Sequence, residues 1–141
     1  MAQLDPYLMF DGSCADAMRF YERTLGGTLD AMVTFGSAPP CGDGQLPAGL
    51  EHRIMHAHML LQGRSLMASD SMPGRPYEGM KGFALALSYP EVDEARRIFD
   101  ALAEGGQVTM PMQKTFWAEA FGMLTDRFGT PWMVNGGLTP T

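Results

Sequence analysis

The three histidines of this chain, His52, His56 and His58, lie close together and share parity. On a strand, alternate side chains point to opposite faces, so the spacing predicts three imidazoles on one face. Met55, Ala57, Met59 and Leu61 would then occupy the other. A His-x-His pair on a strand can chelate zinc or another transition metal when a third ligand converges, and Glu119 is the candidate third ligand. The plainer reading makes His56 and His58 pocket-lining groups that hydrogen-bond backbone or ligand, since neither C-x-x-C nor H-E-x-x-H accompanies them. Glu119 shares one side of its strand with Trp117, Phe121 and Met123 if that strand is regular. A carboxylate among aromatics can act as a general base, which makes Glu119 and His56 the candidate catalytic groups; a solvated edge glutamate is the alternative. Trp117 either stacks on a flat ligand or fills an interface. Cys14, at a helix start, is either a reactive thiol or a small buried helix residue. No Ser-His-Asp order and no phosphate loop stands out.

The elements that must hold these residues occur twice. Ala17-Met18-Arg19-Phe20-Tyr21 matches Ala95-Arg96-Arg97-Ile98-Phe99, and each is followed by a glycine pair, Gly26-Gly27 and Gly105-Gly106. Met59–Arg64 resembles Met123–Phe128, and Leu66-Met67 matches Trp132-Met133. The first half carries an insertion, Gly36–Leu50, rich in Gly and Pro and hence a loop. Tyr7–Phe10 reads as a strand. Ser13 and Asp16 form an S-x-x-D cap, and Cys14, Ala17, Met18, Tyr21 and Leu25 follow at helical spacing to a stop at Gly26. Strands follow at Thr28–Phe35, His52–Leu61 and Ser65–Ser69, with a tight turn at Gln62–Arg64. In the second half Gly82–Tyr89 is a strand, Pro90 suits a first helical turn, and Gly105 ends the helix. Strands at Gln107–Met110, Thr115–Thr125 and Pro131–Val134 complete it, with a turn at Asp126–Gly129. The expectation is a single α+β domain of tandem βαβββ modules, residues 5–69 and 82–136. Each module covers one sheet face with a helix and leaves the other open, so two modules form a cupped mixed sheet with helices outside and a pocket within. Strand alternation adds Phe10, Met67, Ser69, Met133 and Asn135 to that pocket, giving an apolar small-molecule site with few polar groups.

Composition removes other functions. Of 141 residues, 45% are hydrophobic and 18% charged, a globular balance. The formal charge is −6 and no basic cluster exceeds Arg96-Arg97, which argues against a nucleic-acid partner. No apolar run reaches membrane-spanning length, and Met1–Asp5 does not read as a signal peptide. Two cysteines, Cys14 and Cys41, outside any C-x-x-C pair fit a reduced, cytoplasmic protein. Arg53, Arg64 and Arg75 are solvated or meet an anionic ligand. The 13 methionines are the oddity; their side chains adapt both to irregular cores and to irregular ligands.

Pro6–Phe10, the helix with Phe20-Tyr21 and Gly26-Gly27, His56-Ala57-His58 before Leu66–Asp70, Val92–Ala95, Thr115-Phe116-Trp117, Phe121-Gly122 and Asp126–Gly129 together resemble the vicinal oxygen chelate superfamily. That superfamily holds glyoxalase I, bleomycin-resistance proteins and extradiol dioxygenases, and the resemblance is nearest to its PhnB-like branch. It covers about residues 5–136. Members of the branch are often labelled 3-demethylubiquinone 3-methyltransferase, but no glycine-rich nucleotide turn follows a first strand here. The resemblance implies a homodimer and a glyoxalase- or bleomycin-resistance-type small-molecule protein. It also places the family's metal ligands at Pro6, Ala84, Met67 and Met133. None of these offers the carboxylate oxygen or imidazole nitrogen that a divalent ion needs, so no cofactor is expected. The alternative is a lyase, isomerase or dioxygenase with a divalent metal on His56, His58 and Glu119.

Overall fold

The computed structural model describes residues 2–37, 49–71 and 76–138. The chain divides into two compact units, Met1–Glu78 and Gly79–Thr141. The first contains β1 (Tyr7–Phe10), α1 (Cys14–Leu25), β2 (Thr28–Thr34), β3 (Ile54–Leu61) and β4 (Arg64–Asp70). The second contains β5 (Leu85–Tyr89), α2 (Val92–Ala103), β6 (Gln107–Gln113), β7 (Ala118–Thr125) and β8 (Pro131–Leu138). Each unit is thus βαβββ with one four-stranded mixed sheet, in the orders β1-β4-β3-β2 and β5-β8-β7-β6. The outer pairs β1–β4 and β5–β8 are parallel and the others antiparallel. Each helix carries the chain from one edge strand to the other, β1 to β2 and β5 to β6, and covers one face of the sheet on the way.

Both helices bury one stripe: Cys14, Ala17, Met18, Phe20 and Tyr21 on α1, and Ala95, Ile98, Phe99 and Leu102 on α2. Under α1 lie the paired positions Ala57–Ala68 and Met59–Leu66, all buried. Under α2 lie Gly122–Val134 and Leu124–Trp132. Each large side chain buried there contributes roughly 1.5–3 kcal/mol. The glycine pair after each helix does two jobs. Gly26 takes φ 80 as the left-handed cap of α1, its N–H bonding to the Glu22 carbonyl at 3.0 Å. A side chain on Gly27 would stand 2.8 Å from the Leu60 carbonyl, and one on Gly106 only 2.3 Å from that of Thr125. The second glycine therefore lets the chain leave the helix tightly against the sheet.

Several boundaries differ from expectation. Ser13 makes no side-chain capping bond. The start of α1 is instead held by Asp70 at the end of β4, whose Oδ1 accepts the N–H groups of Gly12 (2.8 Å) and Cys14 (3.0 Å). Its Oδ2 accepts the Ile54 N–H at 2.8 Å, so one buried carboxylate ties three segments together. Pro90 lies before α2, whose N-cap is Glu91. β3 begins at Ile54, which leaves His52 exposed in a turn closed by Arg53 N–H to Leu50 O. β7 begins at Ala118 because Thr115 folds back: its N–H bonds the Ala118 carbonyl and its hydroxyl accepts the Ala118 N–H. β5 is shorter than expected, while β6 and β8 run on to Gln113 and Leu138. The Asp126–Gly129 turn forms as expected. Buried Asp126 accepts N–H bonds from Phe128, Thr130 and the Trp132 indole, and Arg127 donates to the Glu104 carbonyl at the end of α2. Of the Gly36–Leu50 insertion, residues 38–48 lie outside the described residues, and Cys41 and Arg75 with them.

Candidate functional site

Strand register decides which residues share the face away from each helix. In the first unit Tyr7 is level with Met67, and Met9 with Ser69. His58 pairs with Met67, Leu60 with Ser65, Ala31 with His58 and Val33 with His56. These residues form the open face. Leu8 and Phe10 fall on the other side, level with Ala68 and with the helix-capping Asp70. Phe10, expected on the open face, is therefore fully buried on the helix-covered side of the sheet. Parity counted from the helix would not reveal this, because β1 takes its facing from its parallel register with β4.

His56 and His58 share the open face, as their spacing predicts, and each has partners. Tyr7 Oη and His56 Nδ1 are 3.2 Å apart, and the two rings stack with centroids at 5.9 Å and an interplanar angle of 29°. His58 is held at both ring nitrogens, with Nδ1 2.5 Å from Asp30 Oδ1 and Nε2 2.9 Å from Ser65 Oγ. Asp30 reaches it because β2 has a bulge: Leu29 pairs with Met59 but Ala31 pairs with His58, and Asp30 is the extra residue. Glu22 on α1 fixes the strand just before the bulge by accepting the Leu29 N–H at 2.6 Å. Around this face Ser69 donates to the Met9 sulfur at 3.3 Å, and Tyr77 donates to the Met9 carbonyl at 2.9 Å. Burial, then the charges of Asp11 and Asp70, raise the ionisation of Tyr77 above its ordinary value. Tyr7, Asp30 and Ser65 were missed in the sequence. Ser65 was legible from its parity with Met67, whereas Asp30 needed the bulge.

In the second unit the open face carries Met133 and Asn135 of β8, with Met123 and Phe121 opposite them on β7. Trp117 precedes β7, and its indole N–H donates to Asn135 Oδ1 at 3.0 Å. Its ring meets Phe116 and Phe121 edge-on at 4.7 and 5.1 Å. Glu119 is exposed, with its carboxylate beside Gly137, where an added side chain would stand 3.0 Å from Oε2. The burial on which its general-base reading depends is missing. The structure brings His56, His58, Met67 and Ser69 together in the first unit, and Trp117, Met133 and Asn135 in the second.

Two other proposed chemistries can be judged from local structure. Burial, with the Asp70 charge adding to it, pushes the Cys14 thiol from 9.0 to about 12, so it is a packing residue and not an activated nucleophile. At the superfamily's metal positions, Pro6 offers its carbonyl to the Met67 N–H at 3.2 Å, and Ala84 lies just ahead of β5. On the parallel neighbours β1 and β5 the side chains level with Met67 and Met133 are Tyr7 and Ala86, and on the antiparallel neighbours His58, engaged by Asp30 and Ser65, and Met123. This donor set does not fit a hard divalent ion, which takes carboxylate or imidazole ligands. Among the described residues no group of three or more His, Cys, Asp or Glu could hold a metal. A metal on His58 would first have to displace Asp30 or Ser65.

Two βαβββ units, each with one helix-covered and one open sheet face, define the fold class. A family model described as the Glyoxalase/Bleomycin resistance protein/Dioxygenase superfamily matches residues 3–134, and the chain belongs to that superfamily. Within it the resemblance narrows to the PhnB-like branch. The chain resembles a PhnB protein of Bacillus cereus with a TM-score of 0.77 and 25% identity, covering 96% of this chain and 99% of that one. It resembles the crystal structure of protein PA1353 from Pseudomonas aeruginosa with a TM-score of 0.88 and 49% identity, over 96% and 98% of the two chains. Protein YjdN of Escherichia coli K12 is 41% identical over 138 residues, which are 94% of this chain and 93% of that protein. No helix among the described residues is long and apolar enough to cross a membrane.

Proposed function

We propose that the protein binds an apolar, aromatic-bearing small molecule on the open sheet face of its second unit and does so without the superfamily's metal. The observation that carries this reading is the Trp117 cluster. An indole is fixed by Asn135, braced edge-on by Phe116 and Phe121, and shares its face with the thioethers of Met123 and Met133. A braced ring loses little freedom when a flat ligand stacks on it, and thioethers adapt to the ligand's outline. The first unit, taken by itself, carries Tyr7 and His56 as polar groups on the face of Met9 and Met67. Thioethers at the positions of the metal ligands favour apolar contact over chelation of a hard ion.

The test is a thermal-shift screen with planar aromatic compounds. At least one compound is expected to raise the melting temperature, and Trp117→Ala should abolish that rise. An unchanged response in the variant would refute the site. Elemental analysis of protein purified without chelator should find no stoichiometric Zn, Ni, Mn or Fe, and finding one would refute the metal-free reading. We further propose a homodimer in the cytoplasm. Each four-stranded sheet has two edge strands to manage, and a buried free Cys14 suits a reducing compartment. Light scattering should then return twice the chain mass of 15.4 kDa.

A further inference from the structure

We propose that Ser65, His58 and Asp30 form a nucleophile–base–orienter relay that accepts the acyl group of activated esters on Ser65 and passes it to water. The two contacts of His58 fix the direction of the relay. The Asp30 carboxylate only accepts, so His58 Nδ1 carries the proton between them. In a neutral imidazole Nε2 is then the acceptor, and the Ser65 hydroxyl at 2.9 Å donates to it. This is the arrangement in which an imidazole removes a serine proton while a carboxylate holds its tautomer.

The first unit's twin supplies an internal control. In the second unit Met123 pairs with Met133 as His58 pairs with Met67, and Thr125 with Pro131 as Leu60 with Ser65. The bulge recurs as well, because the register slips between Val108 and Met110 just as it does between Leu29 and Ala31. The same backbone therefore carries Thr109, Met123 and Pro131 where the first unit carries Asp30, His58 and Ser65. The fold needs the bulge but not these polar side chains. Nor does burial demand their pairing, since the side chains of His58 and Asp30 are 23% and 42% exposed and water could serve them. Ser65 is half-buried beside Leu60, which is 40% exposed, so an ester has an apolar, open approach to Oγ.

Ser65 Oγ attacks the carbonyl carbon as its proton moves to His58 Nε2. The bond to the leaving oxygen then breaks, and Nε2 returns the proton to that oxygen. Water attacks the acyl-serine with His58 again as base, releasing the carboxylic acid and restoring the hydroxyl. An exposed relay suits aryl esters, whose leaving groups need little assistance.

The full chain should be treated with a fluorophosphonate, which captures serine with loss of fluoride, and the adduct mapped by mass spectrometry. An adduct on Ser65 is expected, formed about 10²-fold more slowly in His58→Met, the residue found at that place in the twin. Hydrolysis of 4-nitrophenyl acetate should fall to the buffer rate in Ser65→Ala. Asp30 acts through His58 as a positioning residue, so Asp30→Asn should slow labelling at least about tenfold, less than the ~10⁴ of a buried triad aspartate. Asp30→Glu should restore part of that rate, and melting temperatures should stay level. Absence of an adduct on Ser65, or labelling unchanged by His58→Met, overturns the relay. Ser65→Cys gives an independent reading: alkylation at position 65 should be slower when Asp30→Asn is added, and equal rates also overturn it. Neither readout needs a ligand on the Trp117 cluster, so this proposal fails or stands apart from the binding reading.

Discussion

Replacing Asp70 with alanine should destabilise the first unit far more than its position at a strand end would suggest. The carboxylate is 2% exposed and accepts three backbone N–H groups, from Gly12, Cys14 and Ile54, at 2.8–3.0 Å. Truncation leaves all three donors without that partner, and each orphaned buried donor costs about 1–3 kcal/mol. A water entering the vacated polar space can satisfy one or two of them. With one or two donors left unpaired, the expected loss is about 1–6 kcal/mol, a large part of the ~5–15 kcal/mol that holds a domain folded. In urea, with a slope of about 1–3 kcal/mol/M, the midpoint should fall by roughly 2 M. Unfolding is best followed by far-UV circular dichroism, since Trp117 and Trp132 both lie in the second unit. Amide exchange should accelerate first at Gly12, Cys14 and Ile54, and the last of these leads into the strand carrying His56 and His58. A loss below about 1 kcal/mol, or undisturbed exchange at those amides, would refute the claim that Asp70 organises this unit.

Three further outcomes follow from local geometry. With its thiol pushed up to about 12, Cys14 should resist iodoacetamide at pH 8 in the folded protein and react only on unfolding. Because the folded state keeps that proton above the ordinary 9.0, stability should fall as pH rises from 9.0 to about 12, and Cys14→Ala should flatten this slope; an unchanged slope contradicts the assignment. Gly122→Ala would set a methyl 2.7 Å from Phe99 Cε2 and 2.8 Å from Met112 Sδ, so a loss of about 1–3 kcal/mol is expected, with partial recovery on adding Phe99→Leu. Asn135→Ala removes the acceptor of the Trp117 indole at a part-buried site, so a loss of about 1 kcal/mol is expected while Trp117 emission shifts.

The duplicated architecture was legible because helix amphipathicity and glycine pairs are local. Ala17–Tyr21 with Gly26-Gly27 and Ala95–Phe99 with Gly105-Gly106 each specify a helix and its tight exit without reference to distant residues. The shared face of His56 and His58 was legible for the same reason, since two residues on one strand keep their parity. What failed depended on partners far along the chain. Ser13 looked like a cap, but Asp70 holds those N–H groups from another strand. Phe10 looked like a pocket residue because its facing is set by β4. His52 lies outside the strand and Trp117 outside β7 because turns at Leu50–Arg53 and Thr115–Ala118 take up those residues. The methionine excess was partly readable: Met67 and Met133 do hold equivalent open-face places.

The duplication separates what the fold requires from what the sequence adds. Both units repeat the helix-covered face, the bulge in the strand after the helix and a buried aspartate gathering N–H groups, although Asp70 ends β4 and Asp126 precedes β8. Features present twice are needed to build the unit. Features present once are free of that requirement, and they concentrate on the open faces. The first unit places Tyr7, His56, His58, Asp30 and Ser65 there, while the second places Trp117, Phe121, Met123 and Asn135. One face carries hydrogen-bonded polar side chains, the other aromatic rings and thioethers. Such divergence on a common scaffold is expected where the fold is fixed by one side of each sheet and the chemistry is left to the other.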